Sequence, residues 1–366
     1  MGIKDLNRFL KEHAPRAMEL VHLNSLSGKK VAIDTSIYFY KFLYKSPHFL
    51  EQFLEQIYKL RNYNITPIYI FDGYPPEAKN DTIQFRKNRK DEYKNKIEIL
   101  KNAIEEKEEL DKKINITSID TSIDTSIDKS TDTSIDTSID PSIPEKSVEM
   151  LKIELNKLKK KLIYVSPEHI GQLKYFFNIL NVKYIQAQCE ADNICSKLCE
   201  NDVVDMVLSD DMDLLVSGTT ILLREFHIKC NNVIKYNLNE ILNTLGMSNA
   251  QWVDFCILCG CDYLRRIPGM GPKKAFKFIK ECGNIENVIE TYTGYNKRYI
   301  LPENYNFSKA RELFNTTEFY FPEYNSIEVN ILNEYVNQKV NINNYLLKYT
   351  NLSQRKINNR IEVIYR

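Results

Sequence analysis

Short apolar runs that end in a carboxylate recur along this 366-residue chain, and they constrain its fold more than any other feature. The runs are rich in β-branched residues and are typical of buried strands. Helical patterns separate them, and this alternation predicts an α/β fold with a mixed, mainly parallel central sheet flanked by helices. The acids that close the runs are Asp34, Asp72, Glu190, Asp192, Asp211 and Asp213, and a seventh, Asp262, follows an apolar helical stretch.

The seven acids predict a metal site. In a parallel sheet, ligands bind beyond the carboxyl ends of the strands, which is where these acids fall. Seven like charges in one crevice repel strongly unless cations lie between them, and an all-oxygen set suits Mg²⁺ or Mn²⁺ rather than zinc. A single Asp after a strand is usually a helix N-cap or a solvated loop residue, but that explanation does not account for the whole set. The sequence therefore indicates a two-metal phosphoryl-transfer centre.

A second motif, Ile267–Ala275, lies between helices predicted at 250–260 and 272–280. Gly269 and Gly271 permit a tight turn and the close approach of backbone N–H groups to a phosphate. A helix N-terminus beginning at a proline favours an anion, and Lys273 and Lys274 add positive charge. The motif is typical of elements that bind the DNA backbone without regard to sequence. The alternative is an ordinary turn between helices with two solvated lysines.

Charge and cysteine content narrow the setting. The formal net charge is only +1, but a repeat of Thr-Ser-Ile-Asp at 117–143 carries six Asp and one Lys, so the remainder carries +6. We predict that this repeat is disordered. The eight cysteines are expected to be reduced, with Cys256, Cys259 and Cys261 as buried thiols of a core helix rather than metal ligands. No apolar stretch is long enough to span a bilayer, so no membrane association is expected.

The pattern predicts four regions. They are an N-terminal α/β block at 1–76, a largely helical region at 77–164 containing the insert 117–143, an internal α/β block at 165–300 with the glycine-turn element at 250–280, and a C-terminal extension at 301–366. Long helices are expected at 86–113 and 148–162. Beyond residue 165 we expect strands at 183–186, 205–209 and near 220–224, with helices at 167–180 and 191–199 and a helical region at 238–290.

Several motifs together resemble a known family over roughly residues 1–315, outside the insert. They are Met1-Gly2-Ile3, Val31–Ser36, Phe71–Pro76, Cys189–Asp192, Asp211–Asp213 and Cys256–Tyr263. As a set they are similar to a flap endonuclease of the XPG superfamily of structure-specific 5′ nucleases, from a cellular or viral source with an AT-rich genome. The resemblance implies a PIN-like fold, with an N-terminal nuclease block at 1–76, a helical arch at 77–164, an internal nuclease block at 165–300 and a helix–two-turn–helix element at 250–280. It also implies hydrolysis of phosphodiesters at single-strand/duplex junctions in replication and repair, with 5′ exonuclease activity.

The resemblance also assigns residues. It implies that the seven acids bind two Mg²⁺ ions, with Mn²⁺ as a substitute, and that Lys79 and Arg86 contact the scissile phosphate. Tyr40 matches an aromatic residue that stacks on a base, and K⁺ would assist the helix–two-turn–helix. The expected DNA contacts are Tyr40, Lys59, Glu190, Gly260, Asp262, Gly269, Gly271, Lys273 and Lys274.

Some features depart from the family pattern. Asp192 stands where Glu is usual, the loop between Tyr44 and Gln56 is short, and a basic flap contact is replaced near Lys45-Ser46-Pro47. No clamp-binding motif is recognisable. The expected partner is DNA with 5′ flaps or nicks, bound by a monomer in the nucleus or, for a virus, in the host replication compartment. The alternatives are a 5′-exonuclease, a junction resolvase, a ribonuclease and an inactive DNA-binding scaffold.

Overall fold

A seven-stranded sheet forms the centre of the protein, in a computed structural model that describes residues 2–117, 146–294, 297–315 and 342–365, with the backbone alone for 113–117. The strands are β1 (Met18–His22), β2 (Lys30–Asp34), β3 (Thr66–Phe71), β4 (Tyr184–Gln186), β5 (Met206–Leu208), β6 (Ile221–Arg224) and β7 (Asn232–Asn237). Their order across the sheet is β1-β7-β6-β5-β2-β3-β4.

The five strands from β6 to β4 are parallel, whereas β7 and β1 add an antiparallel edge. In β2, Val31, Ala32 and Ile33 are all fully buried. A strand that lacks polar alternation is expected where helices cover both faces of a parallel sheet. Because β5, β2 and β3 are neighbours and point the same way, the chain that leaves each of them does so at the same edge.

Helices flank both faces of the sheet. In chain order, the described helices of both compact units are α1 (Leu6–His13), α2 (Thr35–Lys45), α3 (Phe49–Asn62), α4 (Asn80–Thr117), α5 (Val148–Lys161), α6 (Pro167–Ile179), α7 (Ala191–Glu200), α8 (Asp213–Val216), α9 (Leu238–Leu245), α10 (Asn249–Cys259), α11 (Pro272–Cys282), α12 (Ile285–Tyr292), α13 (Phe307–Phe314), α14 (342–349) and α15 (Gln354–Ile364), of which α4 and α5 do not belong to the layers on the sheet. One hydrophobic core joins the sheet to α1 and α7–α13, and another joins it to α2, α3, α6, α14 and α15.

The described residues form two compact units, one of residues 1–82 with 165–366 and the other of residues 83–164. In the second unit, Ile97, Leu100 and Ile104 of α4 pack against Leu151, Leu155 and Leu158 of α5. The late part of α4 meets the early part of α5, since Lys152 Nζ lies 2.6 Å from Glu108 Oε1. The early part of α4 meets the late part of α5, since Lys161 Nζ lies 4.9 Å from the Tyr93 ring. The two helices are therefore antiparallel.

The predicted fold class is confirmed, and most elements lie within a few residues of their predicted limits. Two strands were missed. β1 is largely exposed and lacks the buried run that identifies the other strands, and β7 begins and ends with Asn. The helix predicted at 86–113 is also longer than expected, since α4 begins at Asn80. The disorder predicted for 117–143 falls almost entirely outside the described residues, and none of the described helices has the length and apolarity needed to cross a membrane.

Candidate active site

Six of the seven predicted acids follow the carboxyl ends of four strands in the parallel part of the sheet. Asp34 is the last residue of β2, and Asp72 follows β3 directly. Glu190 and Asp192 come after β4 at the start of α7, and Asp211 and Asp213 come after β5 at the start of α8. Asp262 lies in the segment that follows the end of α10. We call these seven residues the acid cluster.

Ser209 connects the acids of β2 and β5. Its hydroxyl donates to Asp34 Oδ2 at 3.0 Å and accepts from the backbone N–H of Asp211 at 3.1 Å. The N–H of Asp213 in turn donates to Asp211 Oδ1 at 3.2 Å. Gly2 packs directly against these acids, since a Cβ built on it would lie 2.0 Å from Asp211 Oδ1. Its φ of +84° also favours glycine. The two carboxylates after β5 are thus held between the sheet and the N-terminal segment.

The acids of β3 and β4 are held together by backbone and side-chain hydrogen bonds. Asp72 Oδ1 accepts from the N–H of Ala191 at 2.8 Å, at the start of α7. The Gln186 amide donates to the carbonyl of Asp72 at 2.7 Å. The first N–H groups of a helix have no acceptor within the helix, so this hydrogen bond gives one of them a partner and fixes the Asp72 side chain against the start of α7.

Lys79 lies among the acids of the first unit. Its ammonium forms an ion pair with Glu190 Oε1 and lies 3.6 Å from Asp262 Oδ2. The Tyr263 hydroxyl donates to the other oxygen of Glu190. Burial by itself would lower the pKa of Lys79, but the charges of Glu190 and Asp262 raise it above its usual range, so the ammonium stays protonated.

Burial and mutual repulsion raise the pKa values of the carboxyls. Burial, together with the charges of Asp72 and Asp211, raises the pKa of Asp34 to about 7. Burial is also the main reason why the pKa values of Asp192 and Asp213 lie well above the ordinary range of an aspartate, and it raises that of Asp211. Neighbouring acids of the cluster add to the increase. Several buried carboxyls therefore lack enough positive charge to stay ionised together.

The side chains of the acid cluster are of the type that binds a divalent cation, although their spacing in this structure does not form a complete set of ligands. Among the described residues, no three acidic, imidazole or thiol side chains stand close enough together to hold a metal ion as they are placed. However, Asp213 Oδ1 is buried without a hydrogen-bond partner. Such an oxygen is costly unless a cation or donor meets it. The donor set consists of carboxylates, which hard cations such as Mg²⁺ prefer.

The predicted DNA-binding turn lies between α10 and α11. Gly269 has φ +78°, a conformation that favours glycine, whereas Gly271 has φ −88°, which any residue adopts. Lys274 Nζ donates to the carbonyl of Gly269 at 2.8 Å, and Lys273 Nζ lies 2.6 Å from Glu12 Oε2. Gly260 caps α10 with φ +91°, where a Cβ would come within 2.9 Å of Arg266. Of the two turn glycines, Gly269 therefore has the backbone that requires glycine.

The predicted DNA contact Lys59 stays a prediction, and its ammonium already has partners within the protein. Lys59 is only 7% exposed, and its ammonium donates to the backbone carbonyls of His227, Ile228 and Cys230. A lysine that donates to three carbonyls of the segment after β6 fixes that segment, which is a structural role. The sequence could not reveal this because Lys59 looks like any surface lysine of an amphipathic helix.

The remaining predicted contacts keep the status of predictions. Tyr40 lies on α2 with 44% of its side chain exposed, as a stacking residue requires. Arg86 lies on α4 in the second unit, and its predicted contact with the scissile phosphate stays a prediction.

Sequence reasoning missed Ser209, Gly2 and Tyr263 as parts of the site. The signal for Ser209 was its place between a buried strand and two acids, where a small hydroxyl residue can bond to both neighbours. For Gly2 and Tyr263 the adjacency to Asp211, Asp213 and Glu190 arises only in three dimensions.

Family models and curated relatives match this chain. The model of the XPG N-terminal domain matches residues 1–93, and that of the XPG I-region matches residues 181–262. Flap endonuclease 1 of Brugia malayi is 31% identical over 332 residues, which cover 86% of this chain and 75% of the relative. Flap endonuclease 1 of Candida tropicalis is 31% identical over 335 residues, covering 86% and 76%.

Solved structures share the fold. The catalytic core of Rad2 in complex with DNA substrate superposes with a TM-score of 0.63 at 20% identity, covering 100% of both chains. Flap endonuclease-1 from Methanococcus jannaschii superposes with a TM-score of 0.59 at 19% identity, covering 97% of both chains. At this level of identity the two superpositions show only that the fold is shared.

Proposed function

This chain belongs to the flap endonucleases of the XPG family, and from that premise we propose that it hydrolyses a phosphodiester bond at the base of a 5′ flap in DNA with Mg²⁺ bound by the acid cluster. It is a structure-specific flap endonuclease by family. The metal, the roles of individual residues and the finer choice of substrate are the proposed part.

The observation that carries this proposal is the shortage of positive charge among buried carboxyls. Asp34, Asp192, Asp211 and Asp213 all have raised pKa values, and Asp213 Oδ1 is buried without a partner. A fold with no use for cations would not gain from burying these groups, since each one is costly when unpaired. Divalent cations among them would offset both the repulsion and the burial.

The proposed ligands are Asp34, Asp72, Glu190, Asp192, Asp211, Asp213 and Asp262. Two bound Mg²⁺ ions, or Mn²⁺ with the same preference for oxygen, would supply an activated water and stabilise the leaving oxygen of an in-line displacement. The chain itself orients the acids. Ser209 and the N–H of Ala191 fix Asp34 and Asp72 at the ends of β2 and β3.

Lys79 is the proposed electrostatic partner of the scissile phosphate. In this structure its ammonium is shared by Glu190 and Asp262, so it is already positioned at the cluster and stays charged. A fixed ammonium stabilises charge that develops on phosphoryl oxygens in a largely dry site. Arg86 is proposed to share this role, on the strength of the family resemblance.

DNA is the proposed partner, as it is of the Rad2 core. Tyr40 is proposed to stack on a base. The turn at Gly269–Lys274 is proposed to contact the duplex backbone and to bind K⁺ through its carbonyl oxygens. The exposed ammonium of Lys273 supports this, because non-specific affinity for DNA comes mainly from contacts with phosphates. The monomeric state and nuclear or viral-compartment location are proposals of the same kind.

The test is cleavage of an end-labelled double-flap DNA by the wild-type chain, Asp211→Asn and Asp205→Asn. Asp205 is the matched control, since it lies at the opposite end of β5 and binds Lys29 Nζ at 2.8 Å. We expect one Mg²⁺-dependent cut at the flap base, unaffected by Asp205→Asn and abolished by Asp211→Asn with DNA binding retained. Equal activity of Asp211→Asn would refute the assignment of the site.

The products also separate the alternatives. Stepwise release of mononucleotides would indicate a 5′-exonuclease, and symmetrical cuts in a four-way junction a resolvase. Tight binding without any cut, at every metal concentration, would indicate a scaffold.

A further inference from the structure

We propose that Tyr74, in the loop that follows Asp72, is a stacking platform for an unpaired nucleobase of the DNA substrate. This inference rests on the proposed function, because it adds a residue that selects single-stranded DNA beside the same acid cluster. It concerns a different residue from Tyr40, which lies on α2 and follows the neighbouring strand β2.

The backbone that carries Tyr74 is fixed by hydrogen bonds to the segment that follows β4. The N–H of Ala187 donates to the carbonyl of Phe71 at 2.9 Å, and the N–H of Tyr74 donates to the carbonyl of Gln188 at 2.9 Å. Between them, the N–H of Gly73 donates to the carbonyl of Cys189 at 2.5 Å. The segments after β3 and β4 therefore stay hydrogen-bonded to each other outside the parallel register, and Tyr74 lies at the end of this contact.

The loop has little freedom on either side of Tyr74. A Cβ at Gly73 would lie 2.2 Å from the carbonyl oxygen of Gln188, so the two segments are in direct backbone contact. Pro75 and Pro76 follow, and their rings restrict φ. A ring held on such a backbone needs only to settle its own side-chain torsions on binding, which lowers the entropic cost of using it.

The ring itself is exposed and unoccupied. Tyr74 is 86% exposed, and within the described ranges its ring and hydroxyl have no stacking, cation–π or hydrogen-bonding partner. Other exposed tyrosines are at least partly covered: the Tyr164 ring lies 5.9 Å from Lys90 Nζ, and the Tyr175 ring lies 5.2 Å from that of Tyr345. Exposed aromatics occur on many surfaces, but this one lies on a fixed loop two residues beyond an acid of the candidate site.

The chemistry selects an unpaired base as the ligand. Bases inside a duplex already stack on their neighbours, whereas a splayed base in a single strand has a free π-face. Stacking of a base on an aromatic side chain is worth about 1–3 kcal/mol and does not depend on sequence. A tyrosine on the fixed loop that leaves Asp72 would thus help to select DNA with an unpaired strand, without reading its sequence.

The test uses the full chain with Asp211→Asn, so that bound DNA is not cut, and a flap substrate with 2-aminopurine at successive unpaired positions. We expect quenching of the fluorescence at one or two positions in the parent, retained in Tyr74→Phe and lost in Tyr74→Leu and Tyr74→Ala. The affinity for the flap substrate should fall about 5- to 150-fold in the Leu and Ala variants, the range that loss of one stack gives. Affinity for a blunt duplex should not change.

Leu20→Ala is the matched control, because Leu20 is a large apolar residue with 70% exposure on the edge strand β1. Retention of quenching and affinity in Tyr74→Leu would overturn the proposal, since leucine has no π-face. Equal losses on the blunt duplex would also overturn it, because they would show a general effect on DNA binding. Cleavage by the chain without Asp211→Asn is measured separately, so failure of the proposed function appears there while the base-stacking signal stands or falls alone.

Discussion

The Ser209 hydroxyl donates a 3.0 Å hydrogen bond to Asp34 Oδ2 and so joins two acids of the cluster that lie on neighbouring strands. The same oxygen accepts from the N–H of Asp211. Ser209 is fully buried, so both of these hydrogen bonds are made away from bulk water. A hydroxyl without charge is therefore a positioning group of this site.

Ser209→Ala should lower the kcat of flap cleavage, an effect that its loss of stability alone does not explain. Loss of the hydroxyl removes a donor to Asp34 and leaves the N–H of Asp211 without an acceptor, which costs about 1–3 kcal/mol in unfolding free energy. Ser196→Ala is the control, since Ser196 is equally buried and its hydroxyl meets that of Thr219 at 2.8 Å. We expect similar destabilisation of both variants by urea unfolding, but a decrease in kcat only for Ser209→Ala, with activity restored in Ser209→Thr. Equal kcat values would contradict a positioning role.

Lys79→Ala should weaken cleavage strongly and destabilise the metal-free protein. Without the ammonium, Glu190 and Asp262 lose their shared positive charge, and loss of one partner of a buried pair costs about 3 kcal/mol. We expect kcat to fall about 100-fold or more, as when a fixed electrostatic group is removed from an active site. Lys29→Ala is the comparison, because its pair with Asp205 is much more exposed and should contribute about 1 kcal/mol or less.

The metal-free protein should lose stability as the pH rises from about 4 to about 7. Burial, with the charges of Asp72 and Asp211, raises the pKa of Asp34 to about 7, above its ordinary value of 3.8. A raised pKa in the folded state means that folding binds a proton, so this contribution to stability is complete below pH 3.8 and is lost as the pH passes through about 7. Thermal unfolding in a chelator should show the trend, and Asp34→Asn should reduce it. A flat profile in the wild-type chain would be inconsistent with a repulsive cluster.

Substitutions of Lys59 and Lys273 should have opposite effects on stability and on DNA binding. Lys59→Met should lower the free energy of unfolding, because three backbone carbonyls lose their donor, with little change in the salt dependence of duplex binding. Lys273→Ala should leave stability nearly unchanged and lower the slope of log affinity against log salt by about 0.9, the value for one phosphate contact. The reverse pattern in a salt titration would return Lys59 to the DNA interface.

Much of the fold could be predicted from local pattern. The apolar runs at β2, β3 and β5 identified buried strands, and the helices between them followed from periodicity. The edge strand β1 could not be found in this way, because its pairing with β7 joins Met18 to Tyr236, and a largely exposed strand has no apolar run of its own. In the same way, no local feature of the sequence indicates that Lys59 is buried.

By itself, the sequence determined the kind of chemistry, since seven carboxylates after apolar runs and a glycine turn before a basic helix can be recognised without any contact information. The tertiary structure alone decided which groups meet. Ser209 reaches Asp34 across 175 residues and Lys79 reaches Glu190 across 111. Periodicity records the direction of a side chain relative to its own helix or strand, whereas hydrogen bonds between distant segments depend on how those elements pack.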